Sequence, residues 1–598
     1  MGGHVVVRIV ATLVSACLAM AAGSEVGTGA EQVVSSFTTW APGVRGIPTR
    51  NSVCATVNAA TYGNGREDAT AGIQAAINAC PEGQVVRLSA GTFTINDHVL
   101  INKGITLRGA GVRTTTLQKT NQGEQEGILV VGPHRWAHID EASAVNLTTD
   151  ARQGAMSVTV ANSAGFAPGQ FVKLDEDDYT TANWMRMPAR TGGNEPEVLA
   201  TDRVVWNIHQ PRGARDLQLP SGLSSHSRAG RPLAEIKEVV AVEGPVITFS
   251  TPIHITYTTA KAAQLVRYSV VRYAGRSLSQ VRDVGVEDMT LTGGLEGNIH
   301  FAAAAYSWAK NIECTQFKIS CVDVRHSFRV EIRDSYIHHA INPVPGGGAY
   351  AISLQQGSSE ILIENNIVMN ANKVMVARSA GAGSVVGYNY MDNALIAYNL
   401  EWMEAGLNAS HMVGSHHVLF EGNLSFNYDA DDTHGNAIAM TVFRNHLTGY
   451  RRDFASTGNV RAAGLMFGSW WHTFIGNVLG EPGRMDGWIY EDPGDGTYGN
   501  ASSKWGTGPT IWKLGYDTTR NQSPDPKVFS TLVRDGNFDY VTNTVRWDRE
   551  PRVLPDSLYL TGKPAFFGNL RWPWVEPTGS IKVYSLPARV RFDTQLQR

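Results

Sequence analysis

The sequence predicts an all-β protein: a single-stranded right-handed parallel β-helix with an N-terminal capping helix and a β-rich insertion. Three observations support this fold class: an imperfect repeat in the second half of the chain, short apolar segments separated by glycines, and one amphipathic helical segment near the N-terminus. The composition agrees, because 42% of the residues are hydrophobic and 18% are charged, as in folded chains. The 61 glycines indicate many turns between short strands.

The repeat consists of pairs of apolar residues four positions apart. Successive pairs are 31, 23, 34, 23 and 31 residues apart, and repeats of this size indicate stacked coils that bury their apolar sides against one another. A polar residue inside each pair predicts a ladder of side-chain hydrogen bonds along the stack. The first members are Ile332, Ile363, Val386, Phe420, Phe443 and Phe474; the second are Tyr336, Ile367, Tyr390, Leu424, Leu447 and Val478; the polar residues are Ser335, Asn366, Asn389, Asn423, His446 and Asn477.

Residues 1–22 are predicted to form an export signal. Arg8 precedes an apolar run from Ile9 to Met20, and Ala19-Met20-Ala21 has the small-x-small pattern of a cleavage site. The run is too short for a permanent membrane span, and no other apolar stretch is long enough. In the alternative interpretation, Cys17 is the lipidated residue of a bacterial lipoprotein. We therefore expect a secreted, extracellular or periplasmic protein.

The next segment, residues 23–139, is predicted to hold the capping helix and the first coils. Over residues 68–80, apolar residues such as Ile73 and Ile77 recur at helical spacing, and Pro81 ends the pattern. Short apolar strands separated by glycines follow the helix.

The remainder of the chain divides into three predicted regions. Residues 140–262 are predicted to form a β-rich insertion, because strand patterns there alternate around Gly and Pro turns. Residues 263–480 contain the repeat and are predicted to form the main coils. Residues 481–598 are rich in Pro, Trp and Gly, and they are predicted to form a C-terminal capping region over the last coil.

Four cysteines follow the predicted signal: Cys54, Cys80, Cys314 and Cys321. An even number in an exported chain indicates disulfides. Proximity in sequence favours the pairs Cys54–Cys80 and Cys314–Cys321, although four cysteines allow three pairings and buried free thiols are an alternative. A metal site is disfavoured, because no CxxC pair or clustered His accompanies them.

One stretch of the N-terminal region resembles the opening of the pectate-lyase-like superfamily. The matching residues are Gly63-Asn64-Gly65-Arg66-Glu67-Asp68-Ala69-Thr70, Ile73-Gln74-Ala75-Ala76-Ile77-Asn78-Ala79-Cys80, Gly91-Thr92-Phe93 and Ile105-Thr106-Leu107-Arg108-Gly109. The resemblance implies a parallel β-helix whose first coil is capped by a helix. It leaves the reaction open, because lyases, galacturonases and phage tailspikes share this fold. Their catalytic motifs do not carry over: Arg186-Met187-Pro188-Ala189-Arg190 is one residue too short for a lyase pattern, and no Gly-His-Gly element occurs.

Residues 395–446 are the best candidate region for a catalytic site. The 34-residue step implies a longer excursion there, and carboxylates, imidazoles, a cation and an aromatic ring fall within two or three coils. The alternative is that these acids only satisfy backbone amides in turns. The candidate catalytic residues are Asp431, Asp432, His434, His411 and Arg444, and the candidate substrate-binding residues are Glu401, Trp402, Glu404, Lys373 and Arg378.

Two reactions fit these residue types. Hydrolysis needs one protonated and one ionised carboxyl group, and the adjacent Asp431 and Asp432 offer such a pair. Elimination needs a cation or Ca²⁺ at a uronate carboxylate and a proton acceptor, for which Lys373 and Arg378 are candidates, although solvated loop charges are the simpler interpretation. The acidic run from Asp175 to Asp178 is expected to form an exposed acidic loop, with a Ca²⁺ site built from its oxygen ligands as the alternative; no cofactor is certain.

The predicted partner is a polysaccharide. The resemblance points to a pectin-like, uronate-containing glycan that is cleaved by β-elimination or hydrolysis. A non-catalytic glycan-binding surface or matrix protein is the alternative. Nucleic acid is not an expected partner, because the net charge is −3 and no block of basic residues occurs.

Overall fold

The computed structural model describes residues 35–120, 127–134, 138–139, 141–177, 197–200, 203, 205–208, 228, 230–267, 270–273, 276–294, 297–345, 348–432, 435–492, 508–516, 524–550 and 552–596. The chain winds into coils whose short strands stack in parallel on equivalent strands of the neighbouring coils. A complete coil has three strands, and we call their stacks rows I, II and III, in the order in which a coil passes through them. The predicted fold class, a right-handed parallel β-helix, is confirmed.

Rows I and II belong to one sheet and are separated within most coils by a two-residue bend. Row I contains Val53–Val57, Val85–Leu88, Thr106–Arg108, Glu331–Arg333, Leu362–Glu364, Val385–Gly387, Leu419–Glu421, Thr441–Phe443, Thr473–Ile475 and Val533–Asp535. Row II contains Gly91–Thr94, Thr115–Gln118, Tyr336–His338, Ile367–Ala371, Tyr390–Ala394, Leu424–Ser425, His446–Leu447, Val478–Leu479 and Asn537–Asp539, the last paired with antiparallel Thr544–Arg546. Two longer strands, Gly285–Thr292 and Trp308–Thr315, pass through both rows.

Row III is a separate parallel sheet. It contains Val99–Ile101, Leu129–Val131, Ile299–Ala302, Ser320–Arg325, Tyr350–Gln355, Met375–Arg378, Leu407–Met412, Tyr428–Ala430, Arg461–Met466, Thr510–Tyr516 and Ile489–Asp492. Two short parallel pairs supplement the rows: Val281–Arg282 with Ala304–Ala305, and Ser415–His416 with Ala437–Ile438.

The core lies inside the coils, where one side chain of each row I strand stacks on the next. Ile363, Val386, Phe420, Val442 and Phe474 are in register on neighbouring strands, and all are fully buried. The predicted alignment was wrong at one coil, where it placed Phe443 and Leu447 in the positions that Val442 and His446 occupy. The step from Phe420 to its partner Val442 is 22 residues, whereas the predicted step was 23. This difference of one residue matters because it turns every side chain of a strand to the opposite face.

The same shift corrects the polar ladder at the bend between rows I and II. Asn445, and not His446, is its member in that coil. The side-chain amide of Asn389 donates to Asn423 Oδ1 at 3.0 Å, and that of Asn423 donates to Asn445 Oδ1 at 2.9 Å. The ladder consists of Ser335, Asn366, Asn389, Asn423, Asn445, Asn477 and Asn537.

The capping helix spans Thr70–Ala79 and buries Ile73 and Ile77 against the first coils. Asp68 Oδ1 accepts a hydrogen bond from the Thr70 amide at 3.0 Å, which satisfies a donor at the start of the helix. Two shorter α-helices occur at Pro526–Thr531 and Pro587–Arg591.

Both favoured disulfide pairings are confirmed. Cys54 pairs with Cys80 at the end of the capping helix, with a Cα–Cα distance of 5.5 Å, and Cys314 pairs with Cys321 at 6.3 Å.

An antiparallel insertion interrupts the stack between Leu129–Val131 and Gly285–Thr292. Beyond it, the stack resumes without a gap, because Gly285–Thr292 pairs directly with Thr106–Arg108 and Thr115–Gln118. The six-stranded sheet of the insertion contains Val145–Asn146, Ser157–Thr159, Phe171–Asp175, Ala234–Glu243, Val246–Phe249 and Gln264–Arg267; smaller antiparallel sets are Glu197–Ala200 with Val205–Ile208, and His138–Ile139 with Val270–Tyr273 and Arg276–Ser279.

Buried ion pairs attach the insertion to the coils. Glu360, in a coil turn, accepts hydrogen bonds from Lys237 Nζ at 3.2 Å and from Arg329 Nε at 2.9 Å. The insertion also explains the acidic run: Asp175 is fully buried and ion-paired with Arg228 at 2.9 Å and with Arg231 at 2.7 Å. The expectation of an exposed acidic loop is therefore wrong at Asp175, because arginines of the insertion neutralise it.

Segments near both ends of the described chain run along the outside of rows I and II. In the N-terminal segment, residues 35–50, Trp40 Nε1 donates to the His417 carbonyl at 3.1 Å and the ring packs on Leu362 and Leu419. In the C-terminal segment, residues 552–596, Trp574 Nε1 donates to the Gly422 carbonyl at 2.7 Å. The C-terminal segment thus packs along the side of the stack. No helix in the described part of the chain is long and apolar enough to cross a membrane.

Candidate functional site

The candidate site lies on the outer face of row III. Side chains alternate along each strand, so Leu407, Tyr428 and Trp512 point into the core, and their neighbours point outwards. Outward positions on adjacent strands are about 4.8 Å apart. From one coil to the next they are occupied by His300, Asp323, Ser353, Val376, Asn408, Asp429, Gly464 and Lys513.

Lys373 lies at the centre of an acidic cluster. Its Nζ is 3.3 Å from Glu404 Oε2 and 3.9 Å from Asp431 Oδ2. The amide of Asn408 donates to the same Asp431 oxygen at 2.8 Å. Burial alone would lower the pKa of Lys373, but Glu404 and Asp431 reverse this effect and raise it above the usual lysine value. Lys373 is therefore a nearly buried ammonium ion, and the expectation of a solvated loop charge is wrong.

Asp429 occupies the adjoining position and is paired with the fully buried Arg461. Burial raises the pKa of Asp429 to about 6, although Arg461 opposes the shift. Gly464 leaves room for this pair, since a Cβ atom there would lie 2.7 Å from Asp429 Oδ1. The cluster thus holds a carboxyl group whose pKa is near neutral beside an ammonium ion.

The next strand of row III extends the cluster with residues that the sequence did not single out. Lys513 Nζ is 3.8 Å from Asp492 Oδ2, and burial lowers the pKa of Lys513 to about 8. The Lys513 and Arg461 cations also lie over the ring of Tyr516, at 4.9 and 5.3 Å from its centroid. The sequence signal for this part of the cluster is Lys513, a charged residue within the otherwise apolar strand pattern Ile511-Trp512-Lys513-Leu514.

A second group of charges lies on earlier coils of the same face and contains Arg378. Asp323 is 2.6 Å from Arg325 Nε and 3.4 Å from His300 Nδ1, and these charges keep its pKa below the usual value despite burial. The Arg378 guanidinium stacks over the Tyr350 ring, 5.3 Å from its centroid.

Arg444 does not join the cluster. It follows a row I strand, and its guanidinium donates to the carbonyl oxygens of Pro555, Val575 and Leu554 in the C-terminal segment. The prediction of a catalytic Arg444 is therefore corrected, since these bonds occupy the cation on another face of the stack.

The other residues predicted to be catalytic or substrate-binding lie beside the cluster or outside the described part of the structure. Glu401 is exposed and accepts a hydrogen bond from Thr457 at 2.9 Å, while the Trp402 ring packs over Gly458. Asp432 is buried beside Asp431, with its amide 3.4 Å from Met466 Sδ. His434 and the side chain of His411 lie outside the described part of the structure.

The cluster can exchange protons and bind polar groups. Lys373, Asp429 and Asp431 are each nearly buried, and Glu404 is the most open member, with 13% of its side chain exposed. Within the described ranges, no group of three or more His, Cys, Asp or Glu side chains is arranged to hold a metal ion.

Residues 56–205 match a family model described as rhamnogalacturonase A/epimerase, pectate lyase-like. The resemblance to the pectate-lyase-like superfamily is confirmed. The matched residues cover the capping helix, the first coils and part of the insertion. No curated protein matches the chain.

Several solved structures of pectate-lyase-like β-helix proteins are similar at low identity. The tailspike gp61 of Pseudomonas phage phi297 is 14% identical, with a TM-score of 0.47, over 79% of this chain and 62% of its own. The Gp54 tailspike of Acinetobacter baumannii bacteriophage AP22, in complex with capsular saccharide, is 8% identical, with a TM-score of 0.34, over 73% and 66%. The A-module of the Azotobacter vinelandii mannuronan C-5 epimerase AlgE4 is 11% identical, with a TM-score of 0.25, over 82% and 98%. The chain spans less than two thirds of either tailspike.

Proposed function

We propose that the protein is a secreted polysaccharide-active protein that cleaves an acidic, uronate-containing glycan at the row III cluster. The observation that carries the proposal is the position of Lys373 between Glu404 and Asp431, next to an Asp429 whose pKa is about 6. The match to a rhamnogalacturonase-type family model supports a glycan of this class. The parallel rows supply an extended face on which a linear polymer can lie across several coils.

The protonation states favour hydrolysis over elimination by a lysine base. Because the pKa of Lys373 is raised, the amine stays protonated near neutral pH and is unavailable as a proton acceptor. Asp429 is partly protonated near pH 6 and can act as the general acid, while Asp431 takes the part of the base. Two carboxyl groups in different environments are the usual requirement for glycoside hydrolysis.

Binding without cleavage is the second candidate function. It is favoured by the low exposure of the cluster, since Lys373, Asp429 and Asp431 are all buried. In a glycan-binding protein, these buried charges would stabilise the outer face of row III, and the glycan would contact only the exposed atoms of the cluster.

The test is incubation of the full chain with a panel of acidic and neutral polysaccharides. Hydrolysis releases reducing ends alone, whereas elimination also produces the ultraviolet absorbance of unsaturated uronates. We expect Asp429→Asn and Asp431→Asn each to lower the cleavage rate about a hundredfold or more, because positioned acid–base groups contribute this much.

Matched controls are Asp97→Asn and Glu550→Gln, at carboxylates that are 66% and 73% exposed and pair with His98 and Arg552, outside the cluster. Glycan binding with no cleavage by the wild type would establish the second function. Neither binding nor cleavage of any member of the panel would refute both.

A further inference from the structure

An open pocket of about 460 Å³ lies on the outer face of row II, away from the row III cluster. Its floor includes Tyr390, Leu424 and His446, which occupy equivalent positions on three adjacent strands. The floor is therefore roughly 10 Å long, at about 4.8 Å per strand. Residues 583–593 of the C-terminal segment form part of the opposite wall. A volume of this size is typical of pockets that enclose a small ligand.

Aromatic rings hold two of the pocket arginines in place. The Arg484 guanidinium lies 3.8 Å from the centroid of the Tyr450 ring, and that of Arg589 lies 5.0 Å from the centroid of the Tyr390 ring. Stacking on a ring fixes the plane of a guanidinium and leaves its N–H edges available for a carboxylate. Arg484 and Arg589 are still 51% and 38% exposed, so a ligand can reach them.

Carboxylates accompany both arginines. Glu481 accepts a hydrogen bond from Arg484 Nη1 at 2.7 Å, and Asp593 accepts one from Arg589 Nε at 2.8 Å. In total, four arginines and three acidic residues line the pocket, which leaves an excess of one positive charge. The pocket thus offers N–H donors for an anionic group and carboxylate acceptors for hydroxyl groups.

Hydrogen bonds support the side chains behind these pairs. Arg451 is buried, and its guanidinium donates to the carbonyl oxygens of Ala394 and Ala455 at 3.0 and 3.1 Å. Asp392 accepts hydrogen bonds from the Asn393 and Arg452 amides, which ties the loop after row II to the floor. A binding site with supported side chains loses less conformational freedom when a ligand enters.

We propose that this pocket binds a carboxylate-bearing sugar residue of a glycan, at a site separate from the row III cluster. A sugar acid matches both kinds of group, because its carboxylate accepts from Arg484 and Arg589 and its hydroxyl groups donate to Glu481 and Asp593. An inorganic anion matches only the arginines. The proposal deepens the proposed function by adding a recognition site, and it does not require the row III cluster to be catalytic.

The experiment measures binding of galacturonate, glucuronate and mannuronate oligosaccharides to the full chain by calorimetry, with the Asp431→Asn variant used so that no probe is cleaved. Carboxyl-reduced forms of the same oligosaccharides and inorganic sulfate are the comparison probes. We expect at least one uronate oligosaccharide to bind more tightly than its reduced form. Arg484→Gln and Arg589→Gln should each weaken that binding about tenfold, since each removes a charge-assisted hydrogen bond.

Arg282→Gln is the matched control, because Arg282 also lies over a tyrosine ring, that of Tyr306 at 5.1 Å, pairs with Asp283 at 3.2 Å and is 49% exposed, while neither Arg282 nor Tyr306 lines the pocket. Its binding should equal that of the parent. Equal affinity for acidic and reduced forms, equal competition by sulfate, or unchanged binding in both pocket variants would overturn the proposal. Loss of cleavage in the row III variants with retained pocket binding would leave it standing, so the two proposals fail independently.

Discussion

At the scale of single residues, the stack depends on buried amides that repeat once per coil. The Asn423 side chain makes four such bonds: its Oδ1 accepts from the Asn389 backbone and side-chain amides, and its NH₂ group donates to the Val386 carbonyl and to Asn445 Oδ1. All these groups are buried, so water cannot replace a lost partner. Asn423 therefore links its own coil to the coils on both sides.

Asn423→Ala should lower the free energy of unfolding by about 2–4 kcal/mol, because several buried polar groups lose their partners. The change is measured as a lower melting temperature and as faster amide exchange in the strands of rows I and II on either side. Asn51→Ala, at an exposed asparagine, is the control. An unchanged melting temperature for Asn423→Ala would show that the ladder contributes little to stability.

The residues of the candidate site were predictable only in part. Asp431 and Glu404 fall in the region that the sequence singled out, because the repeat locates the strands beside them. Lys373, for which a solvated loop charge was the simpler interpretation, lies close to both. Arg461, Lys513 and Tyr516 were missed, since they belong to later coils whose register no short motif reveals. Arg444 was misassigned, because the sequence does not show that distant carbonyl groups of the C-terminal segment bind its guanidinium.

At the scale of elements, the C-terminal segment is held on row I by carboxyl groups. Glu421 accepts hydrogen bonds from the Ser557 hydroxyl at 2.5 Å and from the Leu558 amide at 2.9 Å, and Glu364 accepts one from Tyr559 at 2.7 Å. Gly387 makes room for this contact, since a Cβ atom there would lie 2.7 Å from the Tyr559 hydroxyl. Burial raises the pKa of both Glu364 and Glu421 to about 7.

Docking of the C-terminal segment should weaken as pH rises from about 4.5 to 7. Between the ordinary pKa of a glutamate, 4.5, and the raised value of about 7, the folded protein binds more protons than the unfolded chain. The stabilising contribution is thus complete below pH 4.5 and is lost as pH rises through 7. Amide exchange or limited proteolysis of residues 552–596 at pH 5 and pH 8 measures the effect.

Glu364→Gln combined with Glu421→Gln, which mimics the protonated acids, should remove most of this pH dependence. The control is Glu550→Gln, at an exposed glutamate of the same part of the chain. If the double variant kept the full difference between pH 5 and pH 8, other groups would have to cause it.

At the scale of the whole molecule, the coils form a one-dimensional array in which each coil contacts its neighbours. The segments near both ends of the described chain cross several coils and add contacts between regions that are distant in sequence. Trp40 packs on Leu362 and Leu419, and Trp574 binds the Gly422 carbonyl. The stability of the middle coils therefore depends on residues that lie far from them along the chain.

Deletion of residues 552–598 should loosen the middle coils more than the first ones. Amide exchange is expected to rise in the strands from Leu362–Glu364 to Val478–Leu479, which the segment covers, and to stay unchanged in Val85–Leu88 and Thr106–Arg108. Native-state hydrogen exchange measures both regions in one experiment. A uniform increase along the whole stack would contradict nearest-neighbour coupling.

The architecture was largely readable from the sequence, because stacking repeats the same apolar positions in coil after coil. The register failed where the step was one residue shorter than expected, between Phe420 and Val442. The path of the C-terminal segment was not readable, since its partners, such as Tyr388 and Gly422, are ordinary buried or turn residues of the coils. The boundaries predicted for the regions of the chain stay predictions.

The amide ladder also determines how such a chain can change its length. Asn477 and Asn537 are adjacent rungs although 60 residues separate them, whereas Asn423 and Asn445 are separated by 22. Residues can therefore be inserted between two ladder asparagines, provided that the second asparagine still hydrogen-bonds to the first. Duplication of an entire turn would recreate every neighbour contact, but insertion of one amino acid within a strand would invert that strand. Growth by whole turns or by side excursions, and not by single residues, is the mode of divergence that this molecule permits.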